Sequence, residues 1–332
     1  MISIMVNTLM PCLGEEHLET KVIAPVAEAK IPNEGVVLRP VWQSGKTYHM
    51  QQRLEARATV AGLGKQFLEW RQQLRVTPHA TVGECYKLEI GVEKLRIDLD
   101  LGGRRSRYYF QPNKPLKHQN EEGFQAALLS SVERLVNTRY LLSSNSTTGK
   151  DDIQILPAKN SIVPNDFPIS EGLAALPWQA VTSALLQQGI PDTPLNPGNR
   201  WQHAHDFNMP KYGDVKIDLK CHFTSYKDIK KRRYALIEHE GAIHGTFRQH
   251  LPDQKEPGPG LGLDAPKVKG LTLIDPEQRT IASTVVKIDG KLTSLDIPGT
   301  EEGETAPVQK TLTLTLLAIE KVPNDAAKVI TE

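Results

Sequence analysis

The chain has 332 residues, 39% of them apolar, with 40 basic and 39 acidic side chains and a formal net charge of +1 at pH 7. That balance lacks the basic excess expected of a nucleic-acid-binding protein, and no window nears the ~20 apolar residues of a membrane-spanning helix. The length suffices to bury a core in one large or two ordinary domains. The three cysteines, Cys12, Cys85 and Cys221, are widely separated. They make no zinc spacing, and an odd number leaves at least one unpaired. Cys85 and Cys221 fall on expected strands and read as small buried hydrophobes, or as a disulfide if the protein is exported.

Residues 1–35 form an expected leader. Met1 to Leu13 is short and mostly apolar, like the tail of a secretion signal without its basic start. Leu9-Met10-Pro11-Cys12 resembles a bacterial lipoprotein cleavage box, although Pro11 stands where a small residue is normal. Polar residues with Pro25 and Pro32 then make an extended lead-in.

Three long segments of alternating polarity follow. Tyr48, Met50, Gln52, Leu54, Ala56, Ala58 and Val60 oppose His49, Gln51, Arg53, Glu55, Arg57 and Thr59. Successive strand side chains point to opposite faces, so this run has one mostly apolar and one charged face. After a turn at Ala61-Gly62-Leu63-Gly64, Leu68, Trp70, Leu74 and Val76 oppose Glu69, Arg71, Gln73 and Arg75. In the third segment the apolar face changes parity: Tyr86, Leu88, Ile90 and Val92 are even, Leu95, Ile97, Leu99 and Leu101 odd. A β-bulge near Glu93-Lys94 restores one face and bends the strand; the alternative is a strand passing between two packed layers. Arg104 to Phe110 is a short fourth strand.

Gly123 to Val136 changes to helical spacing, with Phe124, Ala127, Leu128, Ser131, Val132 and Leu135 on one face. Thr138 to Ser144 and Ile153 to Ile155 pair across a turn at Thr147 to Lys150. The first half thus spans 36–156, and the aperiodic, proline-bearing 157–172 is a linker. The second half, 173–322, opens with a helix from Ala174 to Gln188, closed by Gly189. Gly198-x-x-Trp201 then mirrors Gly45-x-x-Tyr48 at an offset of 153, which suggests a duplicated architecture. Trp201, His203, His205 and Phe207 share a face. Val215, Ile217, Leu219, Cys221 and Phe223 alternate with charged neighbours, and Tyr234 to Phe247 completes the meander. Residues 251–266 read as loop. Gly270 to Ile274 and Ile281 to Ile288 form a hairpin, Asp289-Gly290 the next tight turn, 298–307 an acidic loop and Val308 to Ile319 the last strand. Residues 323–332 are a tail.

The expected fold is therefore mainly β (α+β): long curved antiparallel sheet of half-barrel type, duplicated, with two amphipathic helices packed on it. Trp-x-x-Gly-x-x-Tyr from Trp42, the amphipathic strands and Pro-x-x-Pro-Gly-x-x-Trp ending at Trp201 together resemble a family of bacterial exported proteins known as a domain of unknown function. The architecture also looks like the periplasmic lipoprotein-carrier half-barrels. These resemblances imply an exported, periplasmic or envelope location, with a cytoplasmic one still open, and transfer no catalytic residues.

The chemistry is sparse. His239 and His244 are five apart, so a strand puts them on opposite faces, where they read as exposed polars rather than the four-apart pair of a zinc helix. His203 and His205 share a face and are weak metal candidates. Lys230 to Arg233 reads as a solvated basic turn. Pro257 to Gly262 lacks the Lys-Ser/Thr of a phosphate loop, and no serine sits in a Gly-x-Ser-x-Gly context. The leading expectation is a non-enzymatic protein with an apolar groove on the concave sheet face. Tyr48, Met50, Trp70, Tyr86, Ile90, Trp201 and Phe207 would line it, with a lipid or apolar ligand as partner and no cofactor. The alternatives are an envelope structural or interaction protein with a filled core, and a metal-dependent enzyme using His203 and His205.

Overall fold

Tyr48, Met50, Gln52 and Leu54 lie on one buried face of a single strand in a computed structural model of the chain, as side chains two apart must. The structure describes residues 35–60, 64–79, 85–101, 103–111, 138–145, 150–157, 189–209, 213–248, 260–295 and 305–321. Residues 1–34 of the expected leader, Cys12 among them, both expected helices, the linker after Pro157 and the tail lie outside these residues, as do the side chains of Cys85 and Tyr86. Gly35 to Glu332 forms one compact unit.

Twelve strands are described: β1 (Lys46–Val60), β2 (Gly64–Pro78), β3 (Cys85–Leu101), β4 (Arg104–Phe110), β5 (Thr138–Asn145), β6 (Lys150–Pro157), β7 (Arg200–Met209), β8 (Gly213–Ile229), β9 (Arg232–Arg248), β10 (Gly260–Asp275), β11 (Thr280–Leu295) and β12 (Thr305–Lys321). All belong to one curved sheet. β2 pairs with both β1 and β3. From β3 the ladders pass through β5, β6 and β7, then in chain order to β12, which pairs with β1. The described ladders thus lead from β1 round the sheet and back to β1, with β4 paired outside the circuit to β3. The seam of the circuit is the parallel contact of β6 with β7, where Lys150, Asp151 and Asp152 meet Asp206, Phe207 and Asn208. The ladders elsewhere are antiparallel, and most run for ten residues or more.

Local chemistry explains the strand geometry. In β3, Val92 faces Leu74 and Lys94 faces Gln73, so Glu93 is the extra residue of a bulge. The bulge keeps Val92 and Leu95 both buried, which resolves the change of parity in favour of a bent strand. A second register shift, between Phe223 and Ser225, bends β8 at Thr224.

Three readings need correction. Gly260 to Pro266 is the first part of β10, not loop, and Leu263 and Ala265 are buried there. Asp289-Gly290 is not a turn but mid-strand in β11, paired to Gln309 and Val308. A Cβ on Gly290 would lie 2.4 Å from the Asp264 carbonyl oxygen, so the glycine marks a close backbone approach. Thr305 to Pro307, assigned to an acidic loop, begins β12. The glycine-led strand starts do match locally: Gly45 and Gly198 have φ of 75° and 99°, left-handed backbone that glycine adopts without Cβ strain.

Candidate functional site

The inner face of the sheet is a buried core. Leu74, Val76, Leu88, Ile97, Leu142, Val215, Phe223 and Ile237 have no measurable exposure. Within it runs a row of polar side chains that period-two reading passed over. Gln52, Gln72, His239, Thr272 and Thr284 are all at most 6% exposed. The Gln72 amide donates to Gln52 Oε1. The Thr272 hydroxyl is hydrogen-bonded to His239 Nε2 at 3.0 Å and to the Thr284 hydroxyl at 2.9 Å. Such pairing offsets the cost of burying polar groups. The signal was present: Gln52 stands in the apolar series of β1, and Gln72 breaks that of β2 between Trp70 and Leu74.

His203 and His205 also face inward, 4% and 7% exposed, with ring centroids 4.1 Å apart. Gly189 (φ 48°) packs so tightly on His203 that a Cβ would come within 2.0 Å of Nδ1. Among the described residues no group of three or more His, Cys, Asp or Glu side chains stands close enough to hold a metal ion. His239 and His244 lie on opposite faces, but His239 is buried rather than exposed, because β9 turns it inward; His244 faces out, 2.8 Å from Asp264. Burial alone pushes the His239 imidazole down to about 4. Cys221 is a free buried thiol, pushed up to about 12 by desolvation.

At one end of the sheet the lead-in crosses as a strap. Val36 and Leu195 exchange backbone hydrogen bonds of 2.9 and 2.8 Å, and Arg39 pairs with Asp192. Arg279, held at φ 52° in the β10–β11 turn, donates from Nε to the Arg39 carbonyl at 3.0 Å, and its own carbonyl accepts from Val41 N at 2.9 Å. Leu38 on the strap is fully buried. Trp42 meets Tyr48 edge to face at 4.9 Å, and the Tyr48 oxygen accepts from Gln43 N at 3.0 Å. Burial raises the Tyr48 phenol above 10 despite that bond.

A small crevice lies under the strap, lined by Pro40, Val41, Trp42, Tyr48, Met50, Arg279, Thr280, Ile281 and Leu316. The Thr280 hydroxyl is buried there without a hydrogen-bond partner among the described residues. Of the seven residues expected to line a groove, Tyr48 and Met50 meet at this crevice. Trp70, Ile90 and Phe207 are buried in the core instead, and Trp201 packs against it half-buried with its Nε1 unpartnered among the described residues. The Tyr86 side chain lies outside the description. Periodicity put these residues on the right face; it did not reveal how completely that face is covered.

The outer face is charged. Arg53 and Arg71 both grip Glu69 at 2.6 Å, Arg96 reaches Asp98 at 2.6 Å, and Arg139 reaches Glu89 at 2.6 Å. Burial works against the Glu89 charge, but Arg139 and His79 outweigh it and hold the carboxyl below the usual range. Burial likewise works against a charged His49, yet Glu93 and Glu320, 3.0 and 3.2 Å away, raise its affinity for the proton. This polarity is the inverse of a membrane barrel, whose outer face is an apolar band.

No family model matches the chain, and no curated protein matches it. Among solved structures, it aligns with a lipovitellin described for its lipid–protein interactions, at TM-score 0.40 and 11% identity, over 85% of this chain and 26% of that one. The chain thus spans about a quarter of that protein. DynF of the dynemicin biosynthesis pathway of Micromonospora chersina aligns at TM-score 0.25 and 7% identity, over 95% and 96% of the two chains. The translocator domain of the autotransporter NalP from Neisseria meningitidis aligns at TM-score 0.20 and 6% identity, over 82% and 88%. Likeness at these scores bears on neither ligand nor activity.

Proposed function

We propose that this is a non-enzymatic exported or envelope protein that takes an apolar ligand, such as an acyl chain, at the strap end of its sheet. The observation that carries the reading is the crevice under Gly35–Gln43, apolar on most sides, with one unpartnered buried hydroxyl at Thr280. At about 10 Å³ it holds no more than a water, so the strap must lift to admit a chain. Apolar walls with few polar groups are the usual form of a small-molecule site. The apolar start of the chain and its lipoprotein-like Leu9-Met10-Pro11-Cys12 support export. The family resemblance drawn from Trp42 to Tyr48 and Pro194 to Trp201 agrees with it. Duplication of a glycine-led meander is supported by the matching left-handed Gly45 and Gly198.

A second reading, an interaction protein with a filled core, is favoured by the near-zero exposure of Tyr48, Met50 and Phe207. Titration with an environment-sensitive dye, followed by displacement with a fatty acid, separates the two. The apolar-ligand reading requires saturable dye binding that Leu316→Trp, which fills the crevice, abolishes. A protein that binds no dye while remaining folded supports the filled core.

A further inference from the structure

The hairpin between β8 and β9 turns in two residues, Lys230 and Lys231, because Ile229 already pairs with Arg232. Their φ angles are 48° and 65°, the left-handed pair of a type I′ turn, where Asn-Gly is strongly preferred. A lysine at either position carries Cβ strain, and non-glycine residues held so cluster at functional positions. The flanking arginines are committed: Arg233 Nε donates to Asp228 at 3.2 Å, its guanidinium 5.7 Å from the Tyr226 ring, and Arg232 stands 3.9 Å from Asp275. Lys230 and Lys231 are exposed, and among the described residues neither has an ion-pair partner. Asp275 places this tip beside the β10–β11 turn, whose Arg279 clasps the strap over the crevice.

We propose that this tip docks the strap end of the protein onto an anionic lipid surface. Two adjacent ammonium point charges on a convex hairpin suit a diffuse layer of headgroups, whereas a single bound anion needs a converging cradle or a guanidinium fork. With a whole-chain charge of only +1, attraction must come from such a local surplus and falls with salt. The apolar crevice at the same end then faces the membrane. The docking stands on the turn's own geometry and does not need the ligand reading.

The test is sedimentation of the full chain with phosphatidylcholine vesicles, with or without phosphatidylglycerol, in low and high salt. Binding should need phosphatidylglycerol and fade in high salt. Lys230→Asn with Lys231→Gly should weaken it roughly 30-fold, the factor for two lysines near such a surface, while the thermal midpoint rises through relief of strain. Lys230→Gln with Lys231→Gln should weaken it equally without that rise, so lost binding cannot be blamed on the fold. Undiminished binding in both variants, indifference to phosphatidylglycerol, or attachment to heparin but not to vesicles would overturn the proposal. Dye binding at the crevice is a separate readout and survives either result.

Discussion

His239 carries an imidazole into the inner face beside Thr272, and desolvation holds its folded value near 4 against 6.5 for the free side chain. The neutral form is the folded one, so stability is full above about pH 6.5 and falls as the pH drops toward 4. There the unfolded chain binds a proton that the folded chain refuses. The loss is on the order of 3 kcal/mol, from a shift of about 2.5 units. Urea titrations of wild type and His239→Gln across that window should show the variant's slope flattened. His49 acts in the opposite sense, since Glu93 and Glu320 raise its value. Its contribution is present below 6.5 and is lost as the pH rises through the raised value. Gly241 sets another residue-scale limit. A Cβ there would come within 1.9 Å of the Asp218 carbonyl oxygen, on backbone that cannot swing away. Gly241→Ala should cost more than about 2 kcal/mol by thermal denaturation.

Among the elements, β3 gives the sharpest test. Glu93 is the one residue of the bulge, and deleting it restores strict alternation. Leu88, Ile90 and Val92 would then share one parity with Leu95, Ile97 and Leu99, so a regular strand keeps all six inward. The Glu93 deletion should therefore leave a cooperative unfolding transition, whereas deleting Glu93 and Lys94 together, which sets Leu95 next to Val92 and turns Leu95, Ile97 and Leu99 outward, should abolish it. The strap is tested by Leu38→Ala, expected to cost about 2–4 kcal/mol for a fully buried leucine. Much of this level was legible in advance. Alternation located β1, β2, β3, β4 and β8 and the parity change of β3, because a half-buried strand must write its two faces into the sequence. It failed at Gly260–Pro266 and at Asp289-Gly290, where glycine and proline usually punctuate turns. There glycine instead permits close backbone approach between β10 and β11. Gln52 and Gln72 fall on the apolar parity of β1 and β2, but buried His239 was illegible for a related reason: a polar side chain reads as outward until its cross-strand partners are known. The crevice depends on a turn residue 240 positions from the strap it holds, a separation that no local pattern encodes.

At the scale of the whole molecule, two features govern behaviour. Among the described residues the inner face is mainly apolar and the outer face is laced with ion pairs, with Tyr109, Leu271 and Leu317 as the large apolar side chains exposed. The curve is also unevenly fastened. β7 is held to β8 along its whole length but to β6 only at Asp206–Asn208. Local opening follows the fewest hydrogen bonds, so native-state hydrogen exchange should find the β6–β7 amides exchanging before those of β9, β10 and β11. Everything else rests on the ladder that joins the first strand to the last, pairing Leu54 with Leu312 and Gln51 with Thr315. Cross-strand NMR contacts between β1 and β12 test it directly. The account predicts backbone proton contacts at those pairs, together with contacts from Leu54 to Trp70 on the other side of β1. Contacts from β1 to β2 alone, with the far edge of β1 exchanging freely, would contradict it.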